Sequence, residues 1–225
     1  MLKENATEAL SKDGAFLYYK GELFMDLLKK CAMAFEHLLG YKYHFVIGRK
    51  GVSREFDLTF DKADFHHLIG LHKLRDIAQI QQGMRSKIFD DILSGKITLK
   101  LIEKSEFYQE MKMRMEPLLY LEEMLDGDHL IFRYNEKVNK YSVIKADYLL
   151  EGNVIKEVVF LFLGERKNSE EQMCRTFFPK QEKDYAQGQP RYTLLKKEKI
   201  RICDGEVHTL SGNNLEDNLL KNYTN

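Results

Sequence analysis

The pattern of hydrophobic and polar positions predicts helices in the first half of the chain and strands in the second. Apolar residues recur at helical spacing up to Gly40, which predicts one long amphipathic helix with Asp13 as its N-cap. Residues 41–47 and 52–60 predict two strands, and the turn residues at 48–51 between them indicate a hairpin. The second strand alternates apolar and polar side chains, which is typical of a strand with one buried face.

Helical spacing returns after the hairpin. Residues 62–74 predict a continuous helix that Asp61 caps. A second helix is predicted over 77–94 and a third over 105–126, in which Pro117 introduces a kink or starts a new helix. Between them, residues 97–102 alternate apolar and polar side chains and predict a short strand.

The second half of the chain consists of short β-rich runs separated by turn residues. The predicted strands are 130–134, 141–144, 154–163, 174–178 and 192–202. Helices first and a meander of strands last predict an α+β fold, with N-terminal helices plus a C-terminal antiparallel β-sheet. No Pro/Gly/Ser-rich linker divides the chain. The predicted parts are a helical region at 1–40, an α+β domain at 41–203 and a polar C-terminal tail at 204–225.

Composition and charge favour an intracellular globular protein. Lysine plus arginine number 35 and aspartate plus glutamate number 35, so there is no global positive field for nucleic acid. The three cysteines are far apart, which favours a reduced compartment. The first residues do not resemble a signal peptide, and the longest apolar run, 158–163, is too short for a membrane span. We therefore expect a cytoplasmic protein with no membrane partner.

Three of the seven histidines, His66, His67 and His72, lie within seven positions. Histidine is the side chain best placed to exchange protons near pH 7. On a continuous helix over 62–74, His66 shares a stripe with Lys73, whereas His67 lies nearer the apolar side. The alternative to a role in proton transfer is that one of the three histidines packs in the core and the other two are solvated. The spacing lacks two histidines at i and i+4, so no metal and no cofactor is expected.

A basic side chain and a hydroxyl lie together in the predicted strand 174–178. Arg175 and Thr176 would point to opposite faces of that strand. An arginine on a central strand is costly unless it is paired or lines a cleft, and its planar fork suits a phosphate. A salt bridge at the rim is the alternative for Arg175.

The segment 185–202 is locally basic, carries aromatic residues and contains a single acid. A groove that follows a phosphate backbone and stacks bases needs both kinds of residue. The candidates for substrate binding in this segment are Tyr185, Gln189, Lys197 and Lys199. The alternative is an exposed edge strand that its lysines protect from aggregation.

The sequence lacks the common motifs of metal-dependent or nucleotide-dependent catalysis. It contains no Walker loop, no dinucleotide fingerprint, no nucleophile elbow and no zincin motif. Cleavage of a phosphodiester would therefore use general acid and base groups on an RNA 2′-hydroxyl, with cations holding the phosphate.

Several of these residues together resemble a known family. Residues 65–74, after an alternating strand, resemble the Phe-x-His-Leu-x-Gly-Leu pattern of a phage-associated nuclease-like family. That family belongs to the barnase–EndoU–colicin–RelE-like (BECR) grouping. Residues 174–178, Tyr185, 188–189 and 195–200 are similar to its C-terminal half, so the resemblance covers roughly 41–203.

The resemblance implies helices followed by a four-stranded antiparallel sheet, and RNA endonuclease activity without a metal in phage or mobile-element conflict systems. Its histidine falls on His67, and its Arg-Thr strand falls on Arg175 and Thr176. His66 remains the rival histidine because it shares its predicted stripe with Lys73. The partners implied are RNA and a cognate inhibitor protein.

The sequence therefore predicts a metal-independent ribonuclease of toxin or effector type. The predicted residues are His67, His66, Arg175 and Thr176 for catalysis, and Lys73, Tyr185, Gln189, Lys197 and Lys199 for substrate binding. Two other classes stay open: a non-catalytic RNA- or protein-binding module on the same fold, and an enzyme that acts on a small phosphorylated ligand.

Overall fold

The strands of the protein close into a barrel. The computed structural model describes residues 26–140 and 142–212. The strands are β1 (Tyr41–Arg49), β2 (Val52–Leu58), β3 (His129–Arg133), β4 (Tyr148–Val154), β5 (Glu157–Glu165), β6 (Gln172–Pro179), β7 (Arg191–Arg201) and β8 (Val207–Gly212). The first seven follow one another around the barrel in the order β1-β2-β6-β5-β4-β3-β7, and β7 pairs back with β1. The eighth strand extends the sheet beyond β7.

Strand β1 closes the barrel because it has a partner on each side. It pairs antiparallel with β2, where Phe45 lies opposite Phe56, and this confirms the predicted hairpin. It also pairs antiparallel with β7, where Phe45 lies opposite Lys197. The aromatic and aliphatic side chains of Tyr43, Phe45 and Ile47 alternate along β1 and are fully buried.

The predicted architecture, N-terminal helices plus a C-terminal antiparallel β-sheet, is wrong. The N-terminal hairpin and the late strands belong to one closed sheet, and the helices lie between strands of that sheet along the chain. The alternation in β1 shows that one face is buried, but it carries no information about which strand is its neighbour. Its second neighbour, β7, comes from the other end of the described chain.

The join between β2 and β6 is short. These strands are parallel and share one register pair, Leu58 with Gln172, beside which the Thr59 N–H donates to the Gln172 carbonyl at 3.0 Å. Arg166, in the β5–β6 loop, bridges this join. Its Nη2 donates to the Thr59 carbonyl at 3.0 Å and to Asp64 Oδ2 at 2.8 Å. Few backbone hydrogen bonds connect β2 to β6, so the ion pair between Arg166 and Asp64 helps to hold the barrel together at this join.

The helices of the described chain are short. They are α1 (Leu27–Leu38), α2 (Lys62–Leu68), α3 (Ala78–Gln81), α4 (Arg85–Leu93), α5 (Leu99–Ile102), α6 (Tyr108–Lys112), α7 (Met115–Leu118) and α8 (Leu121–Asp126), with 3₁₀ turns at Leu71–Lys73 and Glu136–Val138. None of the helices in the described ranges has the length and apolar character that crossing a bilayer requires. Asp26 caps α1 by accepting from the Lys29 N–H at 2.8 Å. The predicted Asp13 cap, the earlier part of that helix and residues 213–225 of the predicted tail lie outside the described residues.

The predicted helix over 62–74 is wrong in its second half. Asp61 caps α2 as predicted, in a capping box with Asp64, but the helix ends at Leu68. Gly70 then takes a left-handed conformation, with φ of 89°, which a residue with a side chain adopts only with strain. The chain turns there and continues as the 3₁₀ turn Leu71–Lys73. The predicted stripe shared by His66 and Lys73 therefore does not exist.

Three other elements differ from the prediction. Residues 97–102 contain the short helix α5 and not a strand, and 105–126 is divided into α6, α7 and α8. Residues 142–147 form no strand. Residues 97–102 and 105–126 contribute many apolar side chains to the core, so burial decides their structure whatever their local period. Val143, in contrast, is 93% exposed, so the apolar residues at 143–144 do not mark a buried strand.

Apolar side chains pack on both faces of β5. The larger core holds Leu161 and Leu163 together with α1, while a second cluster on the opposite face contains Phe160 and Phe162. Because both faces are covered, β5 is an almost continuous apolar run. Phe178 and Tyr185 also pack against the second cluster; this aromatic layer supports the cleft described below.

Lys197 and Lys199 of β7, which were predicted to bind substrate, point into the protein. Lys197 is fully buried, and its Nζ donates to the carbonyl oxygens of Asp126 and Gly127, at the C-terminal end of α8. Lys199 forms ion pairs with Glu122 and Asp126. Positive charge at a helix C-terminus stabilises the exposed carbonyls of its last turn. Both lysines therefore hold α8 against the barrel.

Arg166→Met should lower the free energy of unfolding by about 2 to 3 kcal/mol at pH 7, because it leaves the Asp64 carboxylate buried without its counter-ion. Burial raises the pKa of Asp64, and Arg166 opposes part of that rise. Without Arg166 the pKa of Asp64 in the folded protein rises further. The protonated Asp64 is compatible with burial at low pH, whereas at higher pH the folded protein must bury an unpaired carboxylate and loses stability. The loss measured by urea denaturation should therefore be larger at pH 7 than at pH 4.

The matched control is Arg201→Met, which removes ion pairs with Asp204 and Glu206 at the surface and should leave stability nearly unchanged. Equal losses for Arg166→Met at both pH values would contradict the role given to Asp64.

Candidate active site

A cleft of about 540 Å³ opens beside α2, between the Leu71–Lys73 turn, α6 and β6. Its polar lining includes His67, His72, Lys73, Arg114, Lys145, Arg175 and Thr176. Glu110 is the one acid among the described residues that line it, and it accepts a hydrogen bond from Lys73 Nζ at 3.1 Å. The cleft therefore carries excess positive charge, although the net charge of the chain is zero.

Five of the predicted site residues line this one cleft. They are His67, Lys73, Arg175, Thr176 and Tyr185. They come from a helix, a 3₁₀ turn, a strand and a loop, so only the closed barrel brings them together.

The other four predicted residues do not line the cleft. Gln189 is buried, and its side-chain amide bonds both the N–H and the carbonyl of Asn135, which fixes a loop. Lys197 and Lys199 hold α8, as described above. His66 lies in α2 next to His67 but is only 6% exposed.

The Arg175 side chain lies over Gly164, and only part of its guanidinium is hydrogen-bonded. Its Nη2 donates to the Glu165 carbonyl at 2.7 Å. A Cβ built on Gly164 would approach Arg175 Nε to 2.6 Å, so the absence of a side chain at position 164 leaves the space that Arg175 occupies. Within the described ranges no carboxylate pairs with Arg175, and the salt bridge left open by the sequence does not form. Its remaining N–H donors are available to an anion.

Arg114, between α6 and α7, is the site residue that sequence reasoning missed. Its Nη1 donates to Thr176 Oγ1 at 2.9 Å and to the Phe177 carbonyl at 3.1 Å. Its guanidinium lies 5.3 Å from the centre of the Phe178 ring. Burial lowers the pKa of Arg114 to about 10, which leaves it charged at pH 7.

Arg114 forms no ion pair in the described structure, although the charge of Glu110 acts on it from a longer distance. Its Nε is buried without a hydrogen-bond partner, and no carboxylate in the described part of the chain forms an ion pair with it. Its neighbours in sequence, Met113 and Met115, indicate only a helix that packs on the core. The local sequence does not indicate a role for Arg114, because the β6 residues that it contacts are more than 60 positions later in the chain.

Thr176 and Tyr185 form walls of the cleft. The Thr176 hydroxyl accepts from Arg114, which fixes the guanidinium. The Tyr185 ring packs edge-on against Phe162 and Phe178, with ring centres 5.4 and 5.6 Å apart. Tyr185 therefore belongs to a rigid aromatic layer that can offer a flat surface to a base.

The three histidines lie together beside the cleft. The ring centres of His67 and His72 are 4.9 Å apart, and those of His66 and His67 are 5.7 Å apart. Burial, helped by the neighbouring His67, lowers the pKa of both His66 and His72 to about 4. Burial followed by the charges of Arg85 and Arg175 also lowers the pKa of His67. His66 and His72 are therefore neutral at pH 7.

This arrangement can bind and polarise a phosphate. Two guanidinium groups and two ammonium groups line the cleft, together with an imidazole that can transfer a proton. Positive groups that are fixed in place before a substrate arrives stabilise a developing negative charge without reorganisation.

Comparison with known proteins identifies the family. Residues 27–211 match the model of the phage-Barnase-EndoU-ColicinE5/D-RelE like nuclease 4 family. Comparison with the curated proteins and with the solved structures found no match. The match extends over most of the chain and confirms the resemblance noted in residues 65–74 and 174–178. The chain therefore belongs to this family of nucleases.

Proposed function

We propose that the protein is a metal-independent RNA endonuclease of toxin or effector type, and that the cleft beside α2 is its active centre. The observation that carries the proposal is the meeting of His67 with Arg175 and Arg114 in one cleft. Membership of a nuclease family supports phosphodiester cleavage. The expected partners are RNA and a cognate inhibitor protein, whose acidic surface would complement the cationic cleft.

Arg175 and Arg114 hold the phosphate in this proposal. Both guanidinium groups have unused N–H donors, and no carboxylate in the described ranges forms an ion pair with either of them. Bidentate bonds from arginine to phosphate oxygens are among the strongest hydrogen bonds in proteins. They would become stronger as charge builds on the five-coordinate phosphorus.

His67 transfers a proton in the proposed reaction. The 2′-hydroxyl of the ribose loses its proton to a base and attacks phosphorus, and the bond to the 5′-oxygen breaks as that oxygen gains a proton. The products are a 2′,3′-cyclic phosphate and a 5′-hydroxyl end. His67 lies in the cleft with Arg175 and has the chemistry for one of these two transfers.

Tyr185 and Phe178 would hold the base next to the cleaved bond. Their rings line the cleft and are fixed by the aromatic layer behind them. Stacking accepts any base, so the cleft by itself predicts little sequence preference.

Purified protein should cleave total RNA in the presence of EDTA. It should also cleave an RNA oligonucleotide and leave single-stranded DNA of the same sequence as that oligonucleotide intact, because DNA lacks the 2′-hydroxyl. Gel electrophoresis measures both, and end analysis of the fragments should find cyclic phosphates. Folded protein that binds RNA without cutting it would contradict the proposal and support a binding module. Absence of RNA binding, with a rise in melting temperature on adding nucleotides, would indicate a small phosphorylated ligand.

His67→Gln should lower the rate of RNA cleavage by about 10² to 10⁴, the usual contribution of one proton-transferring group. The matched control is His37→Gln, which changes an exposed histidine on α1 that bonds Glu122. Cleavage time courses at saturating RNA measure the effect. Similar rates for His67→Gln and His37→Gln would exclude His67 from the reaction.

Arg175→Gln should lower kcat/KM for RNA by about 10- to 100-fold, the value of a lost hydrogen bond to a charged group. It should also reduce the dependence of RNA binding on salt by about one counterion, since one phosphate contact is removed. Arg201→Gln, at the far end of β7, is the control and should change neither. An unchanged salt slope for Arg175→Gln would show that Arg175 does not contact phosphate.

A further inference from the structure

The histidine cluster has the composition of a metal site. One ring nitrogen from each of His66, His67 and His72 lies within 4.8 Å of the other two. The Nδ1 atoms of His66 and His72 are buried, and neither has a hydrogen-bond partner in the described structure. Buried polar atoms without partners are rare in proteins, and each requires an explanation.

Gly70 makes this cluster possible. A continuous helix over 62–74 would spread the three rings over different sides, which is why the sequence predicted no metal. The left-handed Gly70 instead reverses the chain after α2 and brings His72 back beside His67. The three ligands thus come from one short segment, with two on α2 and one on the 3₁₀ turn that follows.

We propose that His66, His67 and His72 bind one divalent transition-metal ion such as Zn²⁺, and that the bound ion inhibits the nuclease by occupying His67. The second half of this inference rests on the proposed function. A histidine that donates its lone pair to a metal can no longer accept a proton from a substrate hydroxyl. The ion would therefore act as an inhibitor and not as a cofactor.

The spacing of the three ring nitrogens is within reach of a tetrahedral zinc site, although it is not yet that of a bound ion. Zinc binds imidazole nitrogen at 2.0–2.1 Å, so two nitrogen ligands of a tetrahedral ion lie about 3.3 Å apart. Small rotations of the three rings would bring the nitrogen atoms from within 4.8 Å to that spacing. Imidazole ligands suit zinc, copper and nickel, whereas magnesium and calcium prefer oxygen. Three histidines leave one position of the ion open.

The surrounding charges decide what fills the open position. Arg85 and Arg175 act on His67, and Arg114 and Lys73 act on His72. These cations weaken the binding of a dication and favour an anion as its fourth ligand. A chloride, a hydroxide or a phosphate oxygen would balance the charge. Arg175 and Arg114 would then contact that anion from the cleft side.

The experiment is a titration of chelator-treated full-length protein with Co²⁺ and with Zn²⁺. Calorimetry should find one ion per chain, and the Co²⁺ form should show the intense visible absorption of a four-coordinate ion. His66→Gln and His72→Gln should each weaken binding at least tenfold, whereas His37→Gln should bind as the wild type does. Thermal melting without metal establishes that each variant is folded.

Zinc inhibition of RNA cleavage is measured separately, relative to the metal-free rate of each variant. Excess Zn²⁺ should stop cleavage by the wild type, and EDTA should restore it. No binding by folded wild type, or unchanged binding by both His66→Gln and His72→Gln, overturns the metal site. Full cleavage by the Zn²⁺-loaded protein overturns the inhibition. Metal binding without any cleavage in EDTA would instead leave the site intact and refute the nuclease proposal.

Discussion

The pairing of β1 with both β2 and β7 is the constraint on which the rest of the structure depends. It closes the sheet, and closure fixes α2, which follows β2, against β6. The histidines of α2 and the guanidinium of Arg175 on β6 are then neighbours, although more than a hundred residues separate them in the chain. In a sheet opened between β2 and β6, the segment after β2 would have no fixed position relative to β6. The cleft is therefore a product of the barrel and not of either half of the chain.

Uncompensated charge is the main electrostatic feature of the cleft. Lys197 and Lys199, which are also buried, each bond carbonyls or carboxylates around α8. Arg114 and Arg175 bond only a hydroxyl and backbone carbonyls in the described structure. Arg114 is buried and Arg175 is exposed at the cleft, and neither forms an ion pair with a carboxylate in the described part of the chain. A site with this imbalance favours a ligand that supplies negative charge.

The sequence predicted the features that depend on local patterns. Alternation located most of the strands, Asp61 located the start of α2, and the family pattern around His67 indicated a nuclease. The sequence could not predict features that depend on distant pairing. Lys197 and Lys199 alternate like an exposed basic strand, and only the packing of α8 shows that this face is the inner one. Arg114 was overlooked because its contacts lie on β6.

The short join between β2 and β6 is the place next to the cleft where the barrel can open most easily. The other neighbouring strands of the barrel share two or more register pairs, whereas these two share one and rely on Arg166. Separation there breaks few backbone hydrogen bonds, so it requires much less free energy than unfolding of the barrel. Helix α2 would tilt outwards with its histidines while β6 and Arg175 stayed in the sheet. Such a motion would separate the histidines of α2 from Arg175 while the rest of the barrel stayed folded.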